Sequence, residues 1–339
     1  MIELSSIGEL EQALDEEGFW SRDDVVADVY LGYGLSRSLR RTREPVPPEP
    51  CRLPPGAVSI REPGSDPGQT PGYRIGAWDR SWTDDAYASA IEAVRTSIAR
   101  GDVYQVNLVQ HLSAEFEGDS AGLASALAPL QPLHPEPLVG NGWTIVSASP
   151  ELFLSRRGDR VWTCPIKGTR PLGESVEGVK DLAEHVMIVD LERNDLSVVC
   201  EPGSIRWPEL AAEQELAGVT HLVSLVEGRL RPDATLTALL EATFPGGSIT
   251  GAPKVAAIDR IAQLEPVGRG ASMGALGRIR PNGDLDLALT IRTFAVADGR
   301  IHLWVGGGIV WDSDPAAEIE ESWVKARPLL ERVGSLALA

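Results

Sequence analysis

Nine of the chain's 25 prolines fall between residues 45 and 72, with Pro-Pro pairs at 47–48 and 54–55. Proline fixes φ, offers no N–H to a helix or an interior strand, and disfavours helix in the residue before it. Residues 45–75 are therefore expected to be an irregular connector or long loop. This leaves a short mixed segment, 1–44, on one side and a long regular part, 76–339, on the other. The full 339 residues are enough for one large or two ordinary domains with a substantial core.

Beyond the prolines the periodicities become regular. Thr83 can cap a helix running to about Arg100, with Tyr87, Ile91, Val94 and Ile98 on one stripe and Gly101 as the stop. Strand-like runs follow at 103–112, 143–148, 151–155 and 159–164. Helices are expected over 180–192 and 253–263, and strands over 285–296 and 301–310. A last helix opens at Pro315 with Asp314 as its N-cap. Strands and helices mix without a strict βαβ rhythm, which favours α+β over a doubly wound sheet.

The net charge of −18 argues against nucleic acid, whose phosphates demand a basic surface. An anionic small substrate would need a local island of Lys, Arg and backbone N–H groups, or a bound cation. No apolar run approaches the length of a membrane span, and the acidic start (Glu3, Glu9, Glu11, Asp15, Glu16, Glu17) is unlike a leader. Cys51, Cys164 and Cys200 are too scattered for a disulfide framework or a zinc site. A cytoplasmic protein is expected.

Five segments have the composition of a site, and each also has a bland reading. In DPAAEIEESWVKA (314–326), Glu318, Glu321 and Lys325 share a helix face. Two carboxylates one turn apart suit a hard divalent cation, although surface ion pairs use the same spacing. The preceding Gly306–Gly308 lets backbone approach an anion, or forms a bulge. KDLAEHVMIVDLERND (180–195) carries Glu184 and His185 early in a helix; a first turn also favours acids through the helix dipole. FPGGSITGAPK (244–254) has the glycine spacing of a phosphate loop but lacks its Lys-Ser/Thr, so nucleotide binding is rejected. Its Gly-rich turn can still hold a carboxylate at a helix N-terminus. In CPIKGTRP (164–171), Lys167 is either a surface turn lysine or an activated amine. Glu151, after Pro150 in SASPELFLS, could be held protonated and act as a general acid.

In this order the segments resemble the chorismate-utilising enzymes: anthranilate, aminodeoxychorismate, isochorismate and salicylate synthases. The likeness covers about residues 80–335 and is most specific at MIVDLERNDL (187–196), GGSITGAPK (246–254), TIRT (290–293) and GGGIVWDSDPAAEIEES (306–322). It implies a single intertwined α/β (α+β) unit of the anthranilate synthase component I type, with a β-sandwich core flanked by helices. It also implies Mg2+ held by Glu184 and Glu321 with Glu318 beside them. The ring carboxylate of chorismate would lie on that ion and on Gly168 and Thr169. Arg292 would grip the enolpyruvyl carboxylate, and His221 would lie near the C4 hydroxyl or ring. Ser248 is carried over as a substrate contact. Gly307, Gly308 and Lys325 would complete the anion-binding island, and Glu151 would be the acid.

Two positions discriminate within the family. The lysine with which isochorismate and salicylate synthases activate water corresponds to Gln105. The PIAGT of anthranilate synthases reads PIKGT here, so Lys167 resembles the nucleophile of aminodeoxychorismate synthase large subunits, the nearest likeness. Other chorismate aminases, and a non-catalytic chorismate-binding subunit, stay open. Two positions depart from the family: an aromatic residue is replaced by Ser272, and Gly-Tyr by Gly277-Arg278, where the arginine either compensates as a cation or faces solvent. No cysteine sits in a glutaminase nucleophile turn, which implies a separate glutamine amidotransferase subunit as the source of ammonia.

Overall fold

The computed structural model describes residues 1–64, 72–171, 179–216 and 219–334, the side chains of 169–171, 179–181, 215, 216 and 219 excepted. The N-terminal segment forms β1 (Ile2–Leu4), α1 (Gly8–Glu16) and β2 (Val26–Leu31), and β3 (Gly56–Arg61) follows. The proline-rich stretch is thus not irregular throughout. Its run Gly56–Arg61 contains no proline, and it pairs with both β1 and β2; the prolines only bracket it.

Then come β4 (Tyr73–Ile75), β5 (Asp79–Arg80), α2 (Asp84–Ala99), β6 (Gln105–Gly118), α3 (Ala121–Leu127), β7 (Leu138–Val139) and β8 (Trp143–Ser147). The helix expected after Thr83 is present, and the Thr83 hydroxyl accepts from Ala86 N at 3.2 Å, a cap worth about 1 kcal/mol. The middle of the chain gives β9 (Leu152–Arg157), β10 (Arg160–Cys164), β11 (Ile166–Pro171), α4 (Val179–Ser197), β12 (Arg206–Leu216), β13 (Val219–Arg229) and α5 (Leu236–Thr243). Last are β14 (Gly251–Ala252), α6 (Lys254–Leu264), β15 (Ala275–Ile279), β16 (Leu285–Leu289), β17 (Thr293–Ala297), β18 (Arg300–Ile309) and α7 (Pro315–Arg332). Asp314 caps α7 by accepting from Ala317 N at 2.9 Å.

Among the described residues the strands form two antiparallel sheets. One has ten strands in the order β1-β3-β2-β15-β16-β9-β10-β13-β11, with β12 paired to β13; the other has eight, β14-β6-β18-β17-β8-β7, with β4 and β5 on β6. One apolar cluster joins Val29, Ala275 and Leu287 of the first sheet to Leu108, Ile145 and Ala295 of the second. A smaller cluster seals the second sheet under α3 and α7. There Ile301, Leu303 and Val305 alternate with His302 and Trp304, so one face of β18 meets Trp323, Leu329 and Leu330 of α7. Among the described residues no helix is long and apolar enough to cross a membrane.

The continuous strand expected over 285–296 is two strands in different sheets. β16 belongs to the ten-stranded sheet and β17 to the eight-stranded one, and Arg292 at φ 51° lies in the crossover between them. Both strands are buried, so their apolar pattern runs on across the change of sheet and conceals it. A second crossover, 148–151, carries the chain from β8 to β9.

Candidate active site

Glu151 ends the crossover between β8 and β9, where it is almost fully buried. Its Oε1 accepts from Ser248 Oγ at 2.6 Å and from Ile166 N at 3.3 Å. Burial raises its pKa; those two donors and the charges of Lys167 and Arg292 oppose the rise. Ser248 also offers its carbonyl to Lys167 Nζ at 3.3 Å. The turn 247–249 thus holds the candidate acid by its hydroxyl and the candidate nucleophile by its backbone. The serine hydroxyl is engaged by Glu151.

Lys167 lies on β11, and the next residue, Gly168, takes φ 61°, a left-handed conformation that glycine adopts without strain. The turn aims the Gly168 carbonyl at His221 of β13, 2.8 Å from Nδ1. A carbonyl can only accept, so Nδ1 carries the proton and Nε2 is the basic nitrogen of the neutral ring. Burial lowers the His221 pKa, the Gly168 bond works against this, and the charges of Arg292 and Lys325 lower it further. The side chain of Thr169 lies outside the described residues.

Arg292 is the most telling cation. Its guanidinium makes no hydrogen bond or ion pair among the described residues, and burial lowers its pKa against the pull of Glu151. A desolvated guanidinium without a carboxylate is costly unless an anion completes it.

On α7, Glu318, Glu321 and Lys325 do share a face, and it lies over Gly307. A Cβ on Gly307 would stand 3.4 Å from Glu321 Oε1, 3.5 Å from Lys325 Nζ and 3.6 Å from Glu318 Oε2. Lys325 Nζ is 2.8 Å from Glu321 Oε1 and donates to Gly306 O at 2.9 Å. A Cβ on Gly308 would fall 2.0 Å from Gln105 Nε2, so that side chain would have to shift. Gln105 is fully buried, and neither its amide nitrogen nor its oxygen has a hydrogen-bond partner among the described residues.

Glu184 is half-buried on α4, next to His185, whose Nε2 lies 2.5 Å from Ser224 Oγ. Among the described residues no three acidic, histidine or cysteine side chains converge as a ready-made metal cage. The Glu318–Glu321 pair nevertheless fits a hard cation such as Mg2+, which is content with one or two carboxylates, waters and ligand oxygens.

Both departures from the family pattern have partners within the protein. Ser272 is buried and donates to Thr290 O at 3.2 Å. Arg278 is half-buried and ion-paired. On β15 it donates to Asp28 Oδ1 of β2 at 2.9 Å, beside Arg61, which is bound to the same carboxylate. Cross-strand pairing of 278 with 28 produces this network, and sequence spacing could not reveal it.

Glu151, Lys167, Ser248, His221 and Arg292 thus act on one another through hydrogen bonds or charge, and Lys325 of the α7 face acts on His221. Residues 41–331 match the family of chorismate binding enzymes, and the chain belongs to that family. It is 36% identical over 329 residues to anthranilate synthase component 1 of Streptomyces coelicolor, covering 92% of this chain and 61% of that protein. It is 39% identical over 277 residues to aminodeoxychorismate synthase component 1 of Salmonella typhimurium, covering 78% and 61%. The chain thus spans about three fifths of the length of these relatives. The fold is that of anthranilate synthase component I from Streptococcus pneumoniae, with a TM-score of 0.76, 24% identity, and coverage of 92% of this chain and 84% of that one.

Proposed function

We propose that this protein converts chorismate and ammonia to 4-amino-4-deoxychorismate, the precursor of 4-aminobenzoate for folate, in the cytoplasm, with ammonia supplied by a separate glutamine amidotransferase subunit. The observation behind this reading is Lys167. It stands on the Ser248 carbonyl within electrostatic reach of Glu151, where an amine and an acid can act on opposite ends of one ring system.

Arg292 binds the enolpyruvyl carboxylate and Lys325, with the backbone of Gly307 and Gly308, orients the ring carboxylate. Glu318 and Glu321, with Glu184, would hold Mg2+, which supplies neutralisation of the ring carboxylate. Once Lys167 has given its ammonium proton to solvent, its amine forms a bond to C2 while the C4–O bond breaks, the electron pairs shifting through the ring diene. Glu151 gives its proton to the departing hydroxyl, which leaves as water. Ammonia then bonds to C4, the C2–N bond breaks, and Lys167 is returned. The enolpyruvyl group is retained.

Purified protein incubated with chorismate, Mg2+ and an ammonium salt at mildly alkaline pH tests the reading by product mass. An aminated product that keeps the enolpyruvyl group supports it, and Lys167→Ala should then abolish turnover or change the product. Fluorescent anthranilate would instead mark an anthranilate-forming aminase. Chorismate bound tightly but unchanged under any ammonia supply would mark a non-catalytic binding subunit.

A further inference from the structure

Behind Glu151 lies a second buried carboxyl group that this chemistry leaves unused. Glu192, on α4, is 7% exposed, and Thr163 Oγ1 of β10 donates to its Oε2 at 3.0 Å. Its stem packs on the turn that holds the acid: a Cβ on Gly247 would be 3.4 Å from Glu192 Cγ, and the following residue, Ser248, binds Glu151. Thr163, Glu192, Phe153, Asp195, Gly246 and Gly247 line a cavity of about 10 Å3, which is room for about one water.

The neighbouring charges are otherwise engaged. Lys254 of α6 sits 2.6 Å from Asp195 Oδ2 and donates to Thr243 O at 3.0 Å. The Cys164 thiol of β10 is pushed up to about 12 by burial, with Glu192, Glu209 and Glu151 adding to the rise and Arg160 opposing it. Burial first, then the charges of Glu151 and Asp195, push Glu192 up to about 8 against Thr163 and Lys254. Two buried carboxyl groups held against the same 247–248 turn do not both ionise readily, and their titration belongs to the pair.

We propose that Glu192 is a positioning acid for Glu151: the two hold one proton between them, and substrate binding settles that proton on Glu151. The proposal rests on Glu151 being the acid of the proposed reaction. Arg292 and Lys167 favour ionised Glu151 in the empty site. A docked dicarboxylate neutralises Arg292 and adds negative charge beside Glu151, while Glu192 stays behind the 247–248 turn. The proton leaves Glu192 and Glu151 gains one, by exchange with solvent. Glu151 then delivers it to the C4 hydroxyl, and the pair is refilled from solvent after product release.

The test is kcat against pH, with free NH3 held constant, for the whole protein and for Glu192→Gln. The glutamine keeps the volume and can still accept from Thr163. The alkaline limb should move to lower pH by about one unit, a loss of roughly tenfold on that limb. KM for chorismate and kcat at pH 6 should stay within about twofold, a split that simple structural damage would not give. A limb that does not move overturns the pairing. Should Glu192→Gln not fold, the infrared band of a protonated carboxyl answers the question instead. It should persist to about pH 8 in the unaltered protein and be lost at lower pH in Glu151→Gln; loss below pH 6 in both overturns the proposal. Glu151→Gln also separates the two claims. Full turnover in that variant removes the acid role of Glu151 itself, whereas lost turnover with an unmoved limb in Glu192→Gln removes only the pairing.

Discussion

Glu151 and Arg292 stand on adjacent crossovers between the two sheets, and the crossovers are tied to each other. Leu289 N donates to Glu151 O at 2.9 Å, and Ala148 N donates to Arg292 O at 3.0 Å. A further bond, Ser147 Oγ to Thr293 Oγ1 at 2.8 Å, closes the pair of strands on one side. The backbones that carry the acid and the guanidinium are therefore held to each other by hydrogen bonds.

Because the Arg292 guanidinium has no partner to lose among the described residues, removing its charge should affect ligand and leave the fold alone. Arg292→Gln is expected to raise KM for chorismate by about tenfold to a hundredfold, the worth of one charged hydrogen-bonded contact. The melting temperature should not fall. A large drop in melting temperature with unchanged KM would assign Arg292 a structural role.

Ser248 is expected to act on the same acid as Glu192 but in the opposite direction. Its hydroxyl stabilises ionised Glu151, so Ser248→Ala should raise the Glu151 pKa further. The alkaline limb of kcat should then move up in pH while kcat falls by about tenfold, since a less ionisable, less well-held carboxyl is a poorer donor. Measured side by side, opposite displacements in Ser248→Ala and Glu192→Gln would separate the hydrogen bond from the paired charge. Displacement in the same direction would contradict this account.

The contrast between the last helix and the crossovers explains what the sequence could reveal. Glu318, Glu321 and Lys325 were legible because a helix repeats in a known period, and Asp314 and Pro315 fixed where that period begins. Glu151, Lys167, His221, Ser248 and Arg292 lie on five separate stretches. Only their resemblance to a family joined them, since no spacing rule relates a residue on β11 to one on a 290–292 crossover. The hairpin of β12 and β13 escaped altogether, although it supplies His221. Arg278 shows the limit from the other side: the carboxylate that holds it is the cross-strand neighbour Asp28, 250 positions away, which no local spacing could name. Glu192 looked like one more acid in an acidic helix because burial is not written in the local sequence.

Gly307 should be tolerant of a methyl group in the unliganded protein and intolerant of one when ligand is present. Its Cβ would meet Glu321, Lys325 and Glu318 at 3.4 to 3.6 Å, ordinary contact with the tips of flexible side chains. It would also fill the space between the Glu318–Glu321 pair and the strand. Gly307→Ala is expected to keep its melting temperature and to require at least about tenfold more Mg2+ or chorismate for half-maximal turnover. Unchanged requirements would place the ligand elsewhere.

Far from the site, His111 and His302 predict how the protein responds to acid. Nε2 of His111 and Nδ1 of His302 are 3.0 Å apart, so one ring must accept while the other donates, and the rings stack with centroids 5.2 Å apart. Burial lowers the pKa of His111 to about 3, with His302 and Arg300 adding to the effect. Burial and Arg300 lower His302 to about 4, with Asp298 opposing. In the unfolded chain both would titrate near the ordinary value of about 6.5. Below that pH the unfolded state binds protons that the folded state refuses. Stability is therefore complete above pH 6.5 and is lost as pH falls towards 4, with each histidine contributing up to about 1.4 kcal/mol per unit. Urea unfolding at pH 7 and pH 5 should show this loss, and in His302→Gln, which keeps a polar partner for His111, the difference between the two pH values should shrink by roughly 1–2 kcal/mol. An equal difference in both proteins would mean that the pair is already protonated, or already exposed, in the folded state.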